Sequence, residues 1–238
     1  MPYRRLPNTD QARIRALKTA VSMEDRQGFS NHIISFKTII EAKNFLSQFE
    51  KLQSIYQQAL DNQVNANRRY QQMISNARMY ISHFIQVFNL AFIRGEIKKE
   101  HKQFYNLEVD SHTVPDLSTE QAVLDWGRKI IEGENMRVRS GGMPIYNPTI
   151  AKVKVHYDMF REYKSSQKIY QQTTNRNWEE LVALRRKGDG IIVQLWNEIE
   201  EYFKDLPPYS RLLHCREYGI IYYYRKGEKE LTPQSDQE

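Results

Sequence analysis

The sequence predicts an all-α protein: an antiparallel bundle of long helices with one short C-terminal β-strand or hairpin. Three observations predict this class. Residues 29–94 include neither Gly nor Pro, the two residues that most often end a helix. Within that stretch, apolar or small side chains recur at alternating steps of three and four, as they do along a coiled-coil-like contact seam. The chain of 238 residues is 40% apolar and 12% aromatic, which excludes wholesale disorder.

The first long helical unit spans residues 29–95 and ends where Gly95 suits a left-handed helix terminus. Its middle, 57–76, holds nine Gln or Asn in 20 residues, which leaves open a hairpin turn near Asp61 and Asn62. The unbroken periodicity and the missing glycine favour one continuous helix. The seam has one polar position, Gln63, and its other members are Ala42, Phe45, Phe49, Leu52, Tyr56, Ala59, Ala66, Tyr70, Met73, Ala77, Tyr80, Phe84, Val87 and Ala91.

Shorter helices flank this unit. Asn8 or Thr9 can cap a helix that reaches about Met23. Ser118, with Gln121 three residues later, has the pattern of a capping box and predicts a helix over 119–131. Residues 134–147 are expected to form a loop.

The second long helical unit spans residues 148–206. Asn147 followed by Pro148 is a favourable helix start, with a capping side chain and then proline at the first helical position. The two glycines of 188–190 predict a kink or a short break. Pro207 and Pro208 end the helix. We expect residues 1–238 to form a single helical-bundle domain.

The tail at residues 216–226 carries the predicted strand, over 218–225. Four aromatic or β-branched residues alternate onto one face of it and form a candidate interaction strand: Tyr218, Ile220, Tyr222 and Tyr224. A strand needs a partner. Residues 104–107, the loop at 134–147 and another chain all remain open as that partner.

Charge and cysteine content predict the compartment. The formal net charge is +6, and residues 1–22 carry a local excess of basic side chains, including Arg13, Arg15 and Lys18. Cys215 is the only cysteine, so no intrachain disulfide can form, and this fits a reducing compartment. The start of the chain lacks the apolar run of a secretory signal, and the most apolar stretch, 84–93, is too short to span a bilayer. We expect a cytoplasmic protein with no membrane partner.

Three stretches carry a resemblance to known proteins. They are residues 82–89 with the following Arg94-Gly95-Glu96, residues 147–151, and residues 205–208 leading to 215–219. Together they resemble an uncharacterised bacterial family of all-helical proteins with no assigned function. The resemblance covers about residues 10–225; it implies a helical fold and no particular chemistry.

Motifs for catalysis are missing from the sequence. No two of the six histidines lie three or four residues apart, and neither Glu-x-x-His nor His-Glu-x-x-His occurs. Cys215 lies beside His214, but adjacent residues rarely direct a thiolate and its base at one another. The nucleophile-elbow, P-loop and dinucleotide-binding glycine patterns are also missing. We therefore expect no catalytic, metal or cofactor site, and a protein that is not an enzyme.

Two weaker binding sites remain as hypotheses. A glycine-rich turn with two guanidinium groups could hold an anion, through Arg137, Arg139, Gly141 and Gly142. An uncharged polar stripe on the first long helix is either a buried hydrogen-bonded seam or the lining of a ligand cleft; it comprises Ser75, Asn76, Ser82, His83, Gln86 and Asn89.

These features predict a non-enzymatic helical bundle with an interaction or assembly role, whose partner is another protein or a second copy of the chain. One alternative is a weak nucleic-acid-binding protein that uses the basic N-terminal helix and the Tyr- and Arg-rich tail, since aromatic side chains among cations suit single strands. The other is a small-ligand-binding bundle that uses the polar stripe.

Overall fold

A computed structural model describes residues 2–26, 32–108 and 110–233. In chain order the elements are strand β1 (Tyr3–Arg4), helix α1 (Asp10–Arg26), helix α2 (Phe36–Ile93), a 3-10 helix (Lys99–Tyr105), helix α3 (Glu120–Arg139), helix α4 (Ile150–Tyr202), helix α5 (Pro208–Glu217) and strand β2 (Tyr222–Tyr223). The structure is 73% helical, with a two-stranded antiparallel sheet, and the predicted fold class is confirmed.

Helix α2 is continuous over 58 residues, as the unbroken periodicity favours. Every position of the predicted seam is buried or half-buried, including Gln63. The helix stops where expected: Gly95 has φ +74°, and the N–H of Glu96 donates to the carbonyl of Ala91 at 3.0 Å. Residues 29–31 of the predicted unit lie outside the described residues.

The chain divides into two compact units. The terminal unit comprises Met1–Ala59 with Thr174–Glu238, and the central unit comprises Leu60–Thr173. Because these bounds fall inside α2 and α4, each long helix contributes residues to both units.

In the terminal unit, α2 and α4 pack antiparallel. Thr38 Oγ1 donates to Glu198 Oε1 at 2.6 Å, and Thr174 Oγ1 donates to the carbonyl of Ala59 at 3.2 Å, so partners run in opposite directions along the two helices. Helices α1 and α5 and the small sheet complete the unit. Its core includes Leu17, Phe49, Trp196, Leu212 and Cys215.

In the central unit, the same two helices again run antiparallel. Gln167 Nε2 donates to Asn67 Oδ1 at 3.4 Å, and the ring of Tyr80 stacks on the ring of His156 with centroids 4.0 Å apart. The 3-10 helix and α3 complete this unit. Its core includes Phe84, Phe88, Tyr105, Ile130 and Phe160.

The predicted limits of α3 are wrong at both ends. Thr119, not Ser118, caps the helix, because Thr119 Oγ1 accepts from the N–H of Ala122 at 3.1 Å. The helix then runs to Arg139 and takes in the first part of the predicted loop. Gly133 lies inside it because a Cβ there would approach the carbonyl oxygen of Phe104 to 2.7 Å, so glycine is required for packing.

Two predictions about α4 also need correction. The helix begins at Ile150 rather than at Pro148, with Thr149 Oγ1 accepting from the N–H of Lys152 at 3.3 Å. It also continues through 188–190 without a break. Gly188 is retained there because a Cβ would lie 2.7 Å from Cζ of the Phe45 side chain.

The predicted C-terminal strand is shorter than expected. Residues 208–217 form α5, a helix that was not predicted from the sequence. Proline is favoured at the first position of a helix, and Pro208 at the start of α5 could have indicated it, as Pro148 indicated the start of α4. Only Tyr222–Tyr223 form a strand, and they pair with Tyr3–Arg4. The partner strand is therefore none of the three candidates considered from the sequence. Pairing between residues more than 200 positions apart leaves no local pattern from which it could be predicted.

Candidate functional site

A buried cluster of three polar side chains lies where the 3-10 helix meets α3. Arg137 donates from Nη2 to Glu134 Oε1 at 2.8 Å and from Nε to Glu134 Oε2 at 2.9 Å, a two-pronged ion pair within one helical turn. Arg137 Nε also donates to the Tyr105 hydroxyl at 2.8 Å, and that hydroxyl donates to Glu134. The exposed fraction of all three residues is 2% or less.

Burial and hydrogen bonding shift the pKa values of Tyr105 and Arg137. Burial, together with the hydrogen bond to Glu134, raises the pKa of the Tyr105 phenol well above its ordinary value. For Arg137, burial works to lower the pKa, but the hydrogen bonds to Glu134 and Tyr105 outweigh it and the pKa is raised. The guanidinium therefore stays charged, and the carboxylate beside it is its counter-ion.

The same ion pair holds the loop that follows α3. Arg137 Nη2 donates to the carbonyl of Met143 at 2.7 Å, and Glu134 Oε1 accepts from the N–H of Ile145 at 3.0 Å. Both residues that flank Pro144 are thus tied to one buried pair. We call residues 140–149 the braced loop.

The braced loop directs two large apolar side chains outward. Met143 is 74% exposed and Tyr146 is 72% exposed, whereas Ile145 between them is buried in the core of the central unit. Loops placed by a rigid framework are common sites of recognition. The arrangement therefore offers an apolar contact surface on a fixed backbone.

The predicted anion site lies in this region, but its groups are engaged within the chain. Arg137 is paired with Glu134, and the N–H groups of Gly141 and Gly142 donate to helix carbonyls at 3.0 Å each. These contacts close the C-terminal end of α3, the end of a helix dipole that disfavours an anion. Arg139 is exposed.

The polar stripe on α2 is mostly on the surface. Ser75, His83 and Gln86 are exposed, and Asn76 and Ser82 are half-buried. Asn89 is buried, and its Nδ2 donates to the carbonyl of His112 at 3.0 Å. The alternative of a buried seam is therefore wrong for the three exposed residues, and Asn89 is the one residue of the stripe that is fully buried.

Four cavities of about 260 to 430 Å³ among the described residues are lined by side chains outside the stripe. These cavities therefore do not support the alternative in which the polar stripe lines a ligand-binding cleft.

The predicted interaction strand faces the protein interior. Tyr218, Ile220 and Tyr222 are buried in the core of the terminal unit, and Tyr224 is half-buried. The alternation of the four residues is as predicted, but the face they share packs inward. The alternate residues Ile221 and Tyr223 are the exposed ones.

Two basic side chains of the N-terminal helix are paired with carboxylates of their own chain. Arg13 is buried and donates to both oxygens of Asp189, at 2.7 and 3.0 Å. Lys18 Nζ lies 2.6 Å from a carboxylate oxygen of Glu50. Arg15 is exposed. This helix therefore offers less positive charge to a partner than its sequence suggests.

The neighbouring thiol and imidazole do not form a reactive pair. Cys215 is buried, and burial raises the pKa of its thiol. His214 stacks on Phe203, with ring centroids 5.1 Å apart, and its Nδ1 lies 3.3 Å from Glu217. The described residues also contain no group of three or more His, Cys, Asp or Glu side chains placed to hold a metal ion.

Within the described ranges, no helix combines the length and apolar character needed to cross a membrane. Comparison with family models, with curated proteins and with solved structures found no match. The resemblance to a bacterial all-helical family therefore stays a prediction.

The sequence singled out Arg137 but not its two partners, Glu134 and Tyr105, nor the exposed Met143 and Tyr146. Glu134 lies three residues before Arg137 on one helix, so the pair was open to prediction from the spacing alone. Nothing local to Tyr105 signals its approach to that pair. The exposure of Met143 and Tyr146 depends on which way the loop turns, and this is set by the ion pair.

Proposed function

We propose that the protein is a non-enzymatic helical scaffold with an interaction or assembly role, and that the braced loop is its contact surface for a second copy of the chain. One observation carries the proposal. Met143 and Tyr146 rank with Phe36 as the most exposed large apolar side chains of the described residues, on a backbone tied to a buried ion pair.

A fixed loop favours binding because little conformational entropy remains to be lost on contact. Tyrosine is enriched among the residues that dominate interface energies, and methionine adapts to irregular surfaces. In a two-fold symmetric contact the same surface meets itself. Met143 of one copy would then lie against Tyr146 of the other, a favourable sulfur–aromatic contact.

The non-enzymatic part of the proposal rests on the sequence, which lacks the catalytic motifs sought, and on the enclosure of the Tyr105, Glu134 and Arg137 cluster. Its members hydrogen-bond to one another and to the loop backbone, which fits a structural role. As part of the same proposal we place the protein in the cytoplasm, because its single cysteine is a buried free thiol.

Sedimentation equilibrium over a rising concentration series tests the proposal. We expect the wild-type chain to self-associate and the double variant Met143→Ser/Tyr146→Ser to remain monomeric. A matched control, Met79→Ser/Leu90→Ser, removes two exposed apolar side chains from α2 of the central unit and should associate like wild type. A wild-type chain that stays monomeric throughout contradicts the proposal, as does equal association of the loop variant.

A further inference from the structure

The two-stranded sheet brings together residues from the two ends of the chain. Tyr3 and Tyr223 lie directly opposite each other in the pairing register, both exposed, with ring centroids 5.7 Å apart. The guanidinium of Arg225 lies 3.9 Å from the ring centroid of Tyr3. Arg5, whose N–H donates to the carbonyl of Ile221 at 2.8 Å, is exposed as well. We call Tyr3, Arg5, Ile221, Tyr223 and Arg225 the outer face of the sheet.

The opposite face fixes this surface to the helices beneath it. Tyr222 is buried, and its hydroxyl donates to Glu200 Oε1 at 2.6 Å. Arg4 donates to Asn197 Oδ1 at 2.7 Å and lies 3.6 Å from Glu200. Both contacts reach α4, so the exposed rings are carried on an anchored backbone.

The outer face combines exposed aromatic rings with positive charge. Its five residues carry two guanidinium groups and no carboxylate. A neighbouring carboxylate, Glu228, accepts a hydrogen bond from the backbone N–H of Arg225 at 2.9 Å. This differs from the N-terminal helix, where Arg13 and Lys18 are paired with Asp189 and Glu50. The net charge of +6 adds a general attraction for polyanions.

We propose that the outer face of the sheet binds single-stranded nucleic acid without base specificity. Bases stack on the ring of Tyr223 and on the guanidinium of Arg225, and the backbone phosphates pair with Arg5 and Arg225. Stacking on aromatic side chains and on guanidinium planes needs unpaired bases, so a duplex is excluded. This surface lies in the terminal unit and is independent of the braced loop in the central unit.

Charge complementarity and ring geometry together favour this occupant over an acidic peptide. A peptide carboxylate can pair with the two arginines, but it has no aromatic face to stack on the ring of Tyr223 or on the guanidinium of Arg225. A nucleotide supplies an anion and a flat aromatic face in each repeat. The surface, with its guanidinium groups and exposed rings, is therefore complementary to a polymer in which phosphates and aromatic bases alternate.

Fluorescence anisotropy of the full chain tests the proposal, with labelled oligothymidylate and oligouridylate of about twelve nucleotides as probes. We expect weak binding to both probes, with log K falling against log salt concentration at a slope of about −1.4 for two phosphate contacts. Tyr223→Ala should weaken binding by about tenfold through the loss of one stacked base. Arg225→Ala should weaken binding and reduce the salt slope by about 0.7.

Matched controls keep the test decisive. Arg176→Ala and Tyr202→Ala, both on α4, each change an exposed side chain of the same type elsewhere, and should bind like wild type. Tyr223→Leu keeps apolar area without the ring, so it should bind as weakly as Tyr223→Ala.

Three outcomes overturn the proposal. They are no binding at low salt, equal binding by Tyr223→Ala and wild type, and competition by polyglutamate as strong as that by the unlabelled oligonucleotide. The last outcome assigns the surface to an acidic peptide. Far-ultraviolet circular dichroism of each variant confirms that the fold is retained.

Discussion

Replacing Arg137 with methionine tests the buried ion pair directly. The guanidinium donates to Glu134, to the Tyr105 hydroxyl and to the carbonyl of Met143. Arg137→Met removes these contacts and leaves the Glu134 carboxylate buried without its counter-ion. Removing one partner of a buried ion pair costs about 3 to 5 kcal/mol of the free energy of unfolding. Since a domain has about 5 to 15 kcal/mol in total, the variant should fold but with much reduced stability.

The second half of the test replaces both partners. Glu134→Leu/Arg137→Met removes both charges, and an apolar replacement of a whole buried pair is often nearly neutral. The N–H of Ile145 and the hydroxyl of Tyr105 then both lose their acceptor on Glu134, which costs about 1 to 3 kcal/mol for each buried donor. Each single variant, Arg137→Met or Glu134→Leu, instead leaves an unpaired charge buried, so we expect the double variant to lose much less stability than the sum of the two single losses. The effects of the two substitutions should be strongly non-additive.

Urea unfolding measures both effects, and α3 offers a matched control. Asp125 and Arg128 form an exposed pair at the same three-residue spacing, with 3.6 Å between Arg128 Nη2 and Asp125 Oδ1. Arg128→Met should cost no more than about 1 kcal/mol. An Arg137→Met variant that is as stable as Arg128→Met, or a double variant that costs the sum of its single substitutions, would refute the reasoning.

Three further predictions follow from single sites. Gly133→Ala should destabilise the protein by about 1 to 3 kcal/mol, because the added Cβ would overlap the backbone carbonyl oxygen of Phe104. Gly190→Ala has open space around it and should stabilise the protein by about 0.4 to 1 kcal/mol. Thermal melts of the two variants measure both effects. Burial works to raise the pKa of Glu198, but hydrogen bonds from the start of α2 outweigh it and the pKa is lowered. The stabilisation from Glu198 is therefore present above its ordinary pKa and lost as the pH falls through the lowered one, so Glu198→Gln should lose less stability than wild type in acid urea titrations. Cys215 should react with a thiol reagent at the rate of unfolding, and rapid labelling under native conditions would contradict its burial.

The long helices were the part of the fold most open to prediction. An apolar seam repeats at every turn of a helix and can therefore be recognised from local sequence. For α2, the absence of Gly and Pro over 29–94 and the regular steps of three and four residues were sufficient. Predicted ends were less accurate where packing decides them. Gly133 and Gly188 are tolerated inside helices because each makes room for an aromatic ring or a carbonyl that the local sequence does not show.

The sheet and the braced loop could not be predicted because both depend on contacts between distant residues. The strand face was predicted with the right alternation, but which face packs inward was decided by Tyr222 reaching Glu200. The glycine-rich turn suggested an anion site, yet Glu134 supplies the anion from within the chain. The residue types of both regions are visible in the sequence, but the tertiary contacts determine which of them face the interior and which face solvent.

Methionine oxidation tests the central claim, that the braced loop is a contact surface, most directly. Met143 is 74% exposed in the isolated chain, and Met79 is 54% exposed on α2 and serves as an internal reference. We expect peroxide to oxidise Met143 rapidly in dilute protein and progressively more slowly as the concentration rises, while the rate at Met79 stays constant. Equal rates at Met143 across the whole concentration series would contradict the account.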